Sequence, residues 1–386
     1  MKLSLLLLAT LTISFANAQT GIQFVEKPWA EVLQTAKAEN KLIFVDAYTT
    51  WCGPCKMLSK NIFPQEAVGN AFNTQFVNAK VDMEKGEGIA LAELYHVQAY
   101  PTLLFINGDG KMVHKGVGYR EANELIALAA TAQDPDKQLL SMEVKYAGGE
   151  RNEEFLKNYM SALDESYDPD ADKVAEAYLQ TQNDWNSAEN QEIIMQHAAS
   201  EDSKMFNYLV ANIEDFRTNY GLERVDGILQ NVYVTPIRKK YNKDEAQLFP
   251  KVQAAFDKVN AKKSAEYFSN FKIGYYSSMQ NQAEYEKAVV EYMDKFGSEN
   301  YAFLNQIAWN FYEKVSDKNL LEKALGWAKK SVQLTDGYAN NDTLAALYYK
   351  TGQNKKAKEA GMHAIEIAKI TGEDYSETES MLSKIK

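Results

Sequence analysis

Hydrophobic and polar positions change their rhythm once along this chain. Up to about residue 132, short apolar runs alternate with segments of helical period; beyond it the 3.6-residue period prevails almost alone. The run Lys41 to Tyr48 (KLIFVDAY) is apolar on both of its alternating faces, the mark of a strand buried inside a parallel sheet. Asp134-Pro135-Asp136 predicts a break, because the residue before proline is pushed out of helical backbone and acids favour turns. From there on, stretches such as Glu153 to Leu163 and Ala171 to Leu179 predict helices. Turns are expected at Tyr146 to Gly149, Tyr167 to Asp170 and Thr235-Pro236.

The last third repeats. Ala288, Ala324 and Ala357 head small-residue patterns at intervals of 36 and 33 residues, and Ile307-Ala308 with Phe311 answers to Leu344-Ala345 with Tyr348. The pattern resembles the tetratricopeptide repeat, in which small residues let paired helices pack closely, although its tryptophan and proline positions are mostly absent. Tyr275, Tyr276, Tyr312, Tyr348 and Tyr349 could line a peptide-binding face or belong to the core of such a module. Lys355, Lys356 and Lys358 read as a solvated helix face. The predicted fold is therefore an α/β domain over 19–133, a helical region over 134–260, and tetratricopeptide-like helical repeats over 261–386.

Composition narrows the function. A net charge of −11 makes binding to a phosphate backbone unfavourable. The chain starts Met1-Lys2, continues with an apolar stretch from Leu3 to Phe15, and reaches Ala16-Asn17-Ala18, the parts of a secretory signal peptide cleaved after Ala18. The expected location is a bacterial periplasm, with an extracellular one left open.

The two cysteines of the chain, Cys52 and Cys55, lie in Trp51-Cys52-Gly53-Pro54-Cys55-Lys56, directly after the buried strand. This spacing places Cys52 at the first turn of a helix, where free N–H groups and the helix dipole favour a thiolate, with Cys55 one turn on. Pro54 costs little in a first turn. A structural zinc site would need about four ligands, and His96, His114, His197 and His363 are scattered. A disulfide spanning so short a loop would add little stability. Reversible dithiol/disulfide chemistry needing no metal or organic cofactor is what remains.

From Ile22 to Ala132 the chain resembles the thioredoxins. The resemblance rests on the buried Asp46 six residues before the first cysteine, the Cys-Gly-Pro-Cys turn, and Tyr100-Pro101-Thr102 ahead of an apolar strand. It implies a central mixed sheet flanked by helices, with Phe76 to Asp82 as the next strand, Thr102 to Ile106 as the strand after the Tyr100-Pro101 loop, and the hairpin Asn107-Gly108-Asp109-Gly110 leading into Val113 to Gly116. It also implies that Cys52 is the nucleophile and Cys55 the resolving thiol, that Asp46 is a buried proton carrier with Lys80 near it, and that Pro101 is cis and faces the cysteines. Trp51, Gly53, Pro54, Tyr100 and Pro101 then form the substrate side; Tyr100 stands where a smaller residue is more usual in the family. The segment Asn61 to Asn73 is longer than in small thioredoxins. It looks like the C-terminal domain of the membrane thiol-disulfide interchange protein DsbD and its soluble periplasmic relatives. That likeness implies disulfide-bearing exported proteins as substrates and a DsbD-type membrane donor of electrons. Two other readings stay open: a helical-repeat binding protein with an accessory redox-gated domain, and a disulfide oxidase or isomerase.

Overall fold

Strand β2 (Leu42–Tyr48) is the centre from which the first unit is built. In this computed structural model, which describes residues 20–385, five strands lie in the order β1-β3-β2-β4-β5. β1 (Phe24–Val25), helix α1 (Trp29–Glu39), β2, helix α2 (Gly53–Met57), α3 (Glu66–Asn73), β3 (Phe76–Asp82) and α4 (Glu87–Leu94) are followed by β4 (Thr102–Ile106), β5 (Met112–Val117) and α5 (Ala122–Gln133). β1, β2 and β3 run parallel, while β4 is antiparallel to β2 and β5 to β4. The sheet is thus mixed, as the resemblance implied, and β2 to β5 fall on the four segments expected to be strands, whereas β1 was not foreseen. The signal peptide predicted over 1–18 lies outside the described residues.

Because side chains alternate across a strand, β2 feeds two separate cores. Ile43, Val45 and Ala47 pack with Val32, Ala36, Leu91 and Leu104 on one face. Phe44 packs with Leu58, Ile62, Phe72, Phe105 and Leu125 on the other. Asp46 shares the face of Phe44, and that face is covered by the helix that follows the cysteines.

The turn at Asp134 to Asp136 forms as predicted, yet the fold does not separate there. Helix α6 (Leu139–Ala147) and α7 (Glu153–Glu165) pack on edge strand β5. The Leu139 N–H donates to Nδ1 of the buried His114 at 3.3 Å, and Arg120 meets Glu165 at 3.4 Å. Burial, and secondarily the charge of Arg120, pushes the His114 pKa down to about 4, so the ring is neutral and able to accept that bond at neutral pH. Helices α8 (Asp170–Leu179), α9 (Ala188–His197), α10 (Lys204–Ala211) and α11 (Ile213–Tyr220) continue the stack. The first compact unit ends at Tyr220 and the second begins at Gly221, within the region predicted as 134–260. An uncovered edge strand and an apolar flank are the physical reason that the helices adhere to the sheet.

The second unit is helical throughout its described residues: α12 (Leu222–Tyr241), α13 (Glu245–Asn260), α14 (Ser264–Ser278), α15 (Gln282–Lys295), α16 (Tyr301–Lys314), α17 (Lys318–Leu334), α18 (Tyr338–Lys350), α19 (Asn354–Thr371) and α20 (Ser376–Ser383). First helices of successive hairpins begin at 264, 301 and 338, equal steps of 37, and second helices at 282, 318 and 354, equal steps of 36. Even spacing of paired helices fits a helical-repeat domain. Ala308, Ala324, Ala328, Ala345, Ala357 and Ala364 are fully buried, as close helix packing requires. At Gly361 an added Cβ would come within 2.8 Å of Leu382, so glycine there admits the terminal helix α20.

One expectation needs correction. Thr235-Pro236 does not separate two helices, since α12 runs through Pro236. The proline lies near the C-terminal end of α12, and the apolar flank that includes Leu229, Val232 and Val234 outweighs its lost bond. Tyr275 and Tyr276 belong to the core, with their hydroxyls bonded to Asn242 O at 3.2 Å and Glu245 at 2.9 Å. Tyr312 and Tyr348 are half-buried against the same core, and Lys355, Lys356 and Lys358 are exposed.

Candidate active site

Strand β2 delivers the chain to a turn that ends at Cys52, the N-cap of α2. Cys52 keeps extended backbone, and its Sγ accepts the N–H of Cys55 at 3.1 Å. That N–H would otherwise be an orphan of the helix start, so the sulfur takes the place an N-cap oxygen usually fills. Pro54 sits at the start of the helix, where its missing N–H costs nothing. Cys52 and Cys55 are joined by a disulfide with their Cα atoms 5.4 Å apart. Both are buried; beside them Trp51 is 65% exposed, and Gly53 and Pro54 are exposed. A sulfur attacked or released here is flanked by an open apolar surface that an extended peptide could cover.

Beneath the helix lies a buried ionic group. Asp46 is fully buried, and neither carboxylate oxygen has a hydrogen-bond partner. Lys80, opposite it in register on β3, brings Nζ to 3.3 Å from Oδ2. The two form an ion pair; the ammonium also donates a hydrogen bond to Ser59 Oγ and lies 4.9 Å from the Tyr48 ring centroid, 5.7 Å from Phe63 and 6.0 Å from Phe24. Burial raises the Asp46 pKa to about 6 against the opposing pull of Lys80. A carboxyl so poised changes protonation close to neutral pH and can give or take a proton there.

The loop expected to form the substrate side contains Pro101. The Tyr100–Pro101 peptide bond is cis. Pro101 O accepts the Gly118 N–H at 2.8 Å, and Thr102 Oγ1 donates to Ala99 O at 2.7 Å, which fixes the loop at both ends. The Tyr100 ring meets the Trp51 ring edge-on at 5.9 Å. Trp51 in turn donates its indole N–H to both oxygens of Glu84 at 3.0 Å. Burial, with the nearby charges of Glu84 and Asp82, raises the Tyr100 pKa.

The structure therefore brings Asp46 to Lys80, and Trp51 to Tyr100, as two separate pairs. Ser59 and Glu84 escaped the reading of the sequence. Ser59 follows Cys55 by four residues, one helical turn, which is the signal that could have found it. Glu84 has none, since its approach to Trp51 depends on the loop after β3. Among the described residues no cluster of three or more His, Cys, Asp or Glu could hold a metal ion, and no helix is long and apolar enough to cross a membrane.

Residues 22–131 match the family model for thioredoxin. A thioredoxin-like protein of Synechocystis sp. is 34% identical over 102 residues, which are 26% of this chain and 91% of that protein. The chain belongs to the thioredoxin family. Thioredoxin-1 of Saccharomyces cerevisiae is 38% identical over 106 residues, 27% of this chain and 93% of its own length. A protein disulfide-isomerase of Triticum aestivum is 32% identical over 97 residues, 25% of this chain and 19% of that one. A solution structure of a candidate disulphide-isomerase from Bacteroides thetaiotaomicron is 50% identical with a TM-score of 0.28, covering 30% of this chain and 95% of that chain. The protein is a thioredoxin-like thiol-disulfide oxidoreductase whose redox group is the Cys52–Cys55 pair itself.

Proposed function

We propose that this thioredoxin-family protein is a reductase of disulfides in exported proteins, working in the bacterial periplasm. The observation that carries the thiol-disulfide exchange in this reading is the sulfur of Cys52 at the helix N-cap, accepting the Cys55 N–H. A thiolate formed there is stabilised by that donor and by the helix dipole, which makes Cys52 the nucleophile. In the reduced protein, Cys52 attacks one sulfur of a substrate disulfide, whose partner sulfur leaves as a thiolate. A mixed disulfide through Cys52 results. Cys55 then gives up its proton with help from Asp46 and attacks Cys52, releasing the second substrate thiolate and closing the Cys52–Cys55 disulfide. Two electrons pass to the substrate and the protein ends oxidised. Trp51, Gly53, Pro54, Tyr100 and Pro101 form the surface on which the substrate chain lies.

The direction is supported by Gly53-Pro54, a dipeptide without the histidine that strong oxidants more often carry. Location is supported by the leader read over residues 1–18, and the DsbD-like look of Asn61 to Asn73 supports a membrane donor that restores the dithiol. The helical repeats, of tetratricopeptide type in this reading, select the partner protein. Equilibration of the Cys52–Cys55 pair against a redox buffer tests the direction. A potential near ~−270 mV is expected, and one near ~−120 mV would make the protein an oxidant.

A further inference from the structure

The helix that starts at the cysteines does not continue as an ordinary α-helix. After Met57 it widens into a π-helical turn, Leu58–Ile62, in which the Phe63 N–H reaches back five residues to Leu58 O at 2.9 Å. Single π turns are uncommon and are frequent at functional sites. Ser59 stands in this turn, and its hydroxyl accepts a hydrogen bond from Lys80. Lys80 is also the cation 3.3 Å from Asp46, and its side chain is 29% exposed, so water is within its reach. What keeps the ammonium inward is Ser59 together with the rings of Tyr48, Phe63 and Phe24.

We propose that Ser59 is a positioning residue of the redox site: its hydroxyl, carried on the helix that bears both cysteines, holds the Lys80 ammonium beside the Asp46 carboxylate. The inference rests on the reading of Asp46 as the proton carrier for Cys55, and gives that carrier a mechanical link to the dithiol helix. A serine makes this link without a charge of its own, so it fixes where Lys80 sits and leaves the charge count of the pocket unchanged. The charge acting on Asp46 comes from Lys80 on β3; β4 presents Leu103 in register, and Tyr48 lies two residues along β2. Without the hydroxyl, Lys80 spends more time in water and the carboxylate loses part of its countercharge.

The test uses the full chain, oxidised, with 13C-labelled aspartate, and follows the Asp46 carboxyl through a pH titration by NMR. In Ser59→Ala the Asp46 midpoint moves upward by about half a unit, in Lys80→Met it moves further in the same direction, and Ser59→Thr restores the wild-type value. An unchanged midpoint in Ser59→Ala, with Lys80→Met shifted, overturns the proposal. Insulin reduction by the reduced proteins is then measured against pH. If its profile follows the Asp46 midpoint, the carrier reading and the positioning role stand together. If the midpoint moves while the profile stays, Ser59 still positions Lys80 and it is the carrier role of Asp46 that fails.

Discussion

At the scale of single residues, Asp46 places a stability cost inside the redox centre. Its carboxyl is fully buried without a hydrogen bond, and its pKa rises from 3.8 in the unfolded chain to about 6 in the fold. The folded state thus binds the proton more tightly than the unfolded state. Stability is greatest below pH 3.8, falls as pH rises through about 6, and above that carries the full cost, on the order of 3 kcal/mol. Asp46→Asn is therefore expected to stabilise the oxidised protein by up to that amount at pH 7.5 in urea unfolding, and to flatten the fall in stability between pH 4 and 6. If Asp46 takes the proton of Cys55 as proposed, the same variant should reduce insulin disulfides at least about tenfold more slowly. For the nucleophile, Cys55→Ser should trap mixed disulfides through Cys52, visible on non-reducing gels, whereas Cys52→Ser should trap none. Trapping that survives loss of Cys52 would reverse the two roles.

Elements hold these residues through a few close backbone approaches. Helix α4 begins one loop beyond β3, and at Gly88 an added Cβ would lie 2.0 Å from Asp82 O. The loop between them carries Glu84, the acceptor of the Trp51 indole N–H. Gly88→Ala must push α4 away from the end of β3, at an expected cost of about 2–3 kcal/mol in chemical denaturation. A variant as stable as the parent would show that α4 is free to shift. The second unit uses the same device, small residues at crowded crossings, but between helices rather than between a helix and a sheet. Its hairpins bury alanines where paired helices cross.

On the scale of the molecule, the informative boundary is the one at Tyr220. A fragment ending at Ala132 would expose β5 and the buried His114, and would strip Leu140 from the core it packs against. A fragment ending at Tyr220 retains the whole first unit. The expectation is that the longer fragment keeps the full chain's rate on small disulfides and a cooperative thermal transition, while the shorter one melts lower, by several degrees. Equal melting temperatures for the two would mean that α6 and α7 contribute nothing to the sheet domain.

The chain order of residues was enough to determine the redox pair, its strand and its helix. Both cysteines lie within one helical turn of each other, and a buried strand, a turn and a helix start are local patterns. Asp46 stood out as the one carboxylate in an apolar strand, and only the resemblance to thioredoxins gave it a role. The helical character of everything past Ala132 followed from its period. Tertiary structure alone decided the rest. The docking of α6 and α7 on β5, the hold of Ser59 on Lys80, and the clasp of Glu84 on Trp51 join residues 21 to 45 positions apart, by contacts that no periodicity encodes. Pro236 shows the converse: a local rule for breaking a helix gave way to packing near the end of α12. Local chemistry is written in short spacings, whereas the partners that tune it are chosen by which faces the sheet and helices bury.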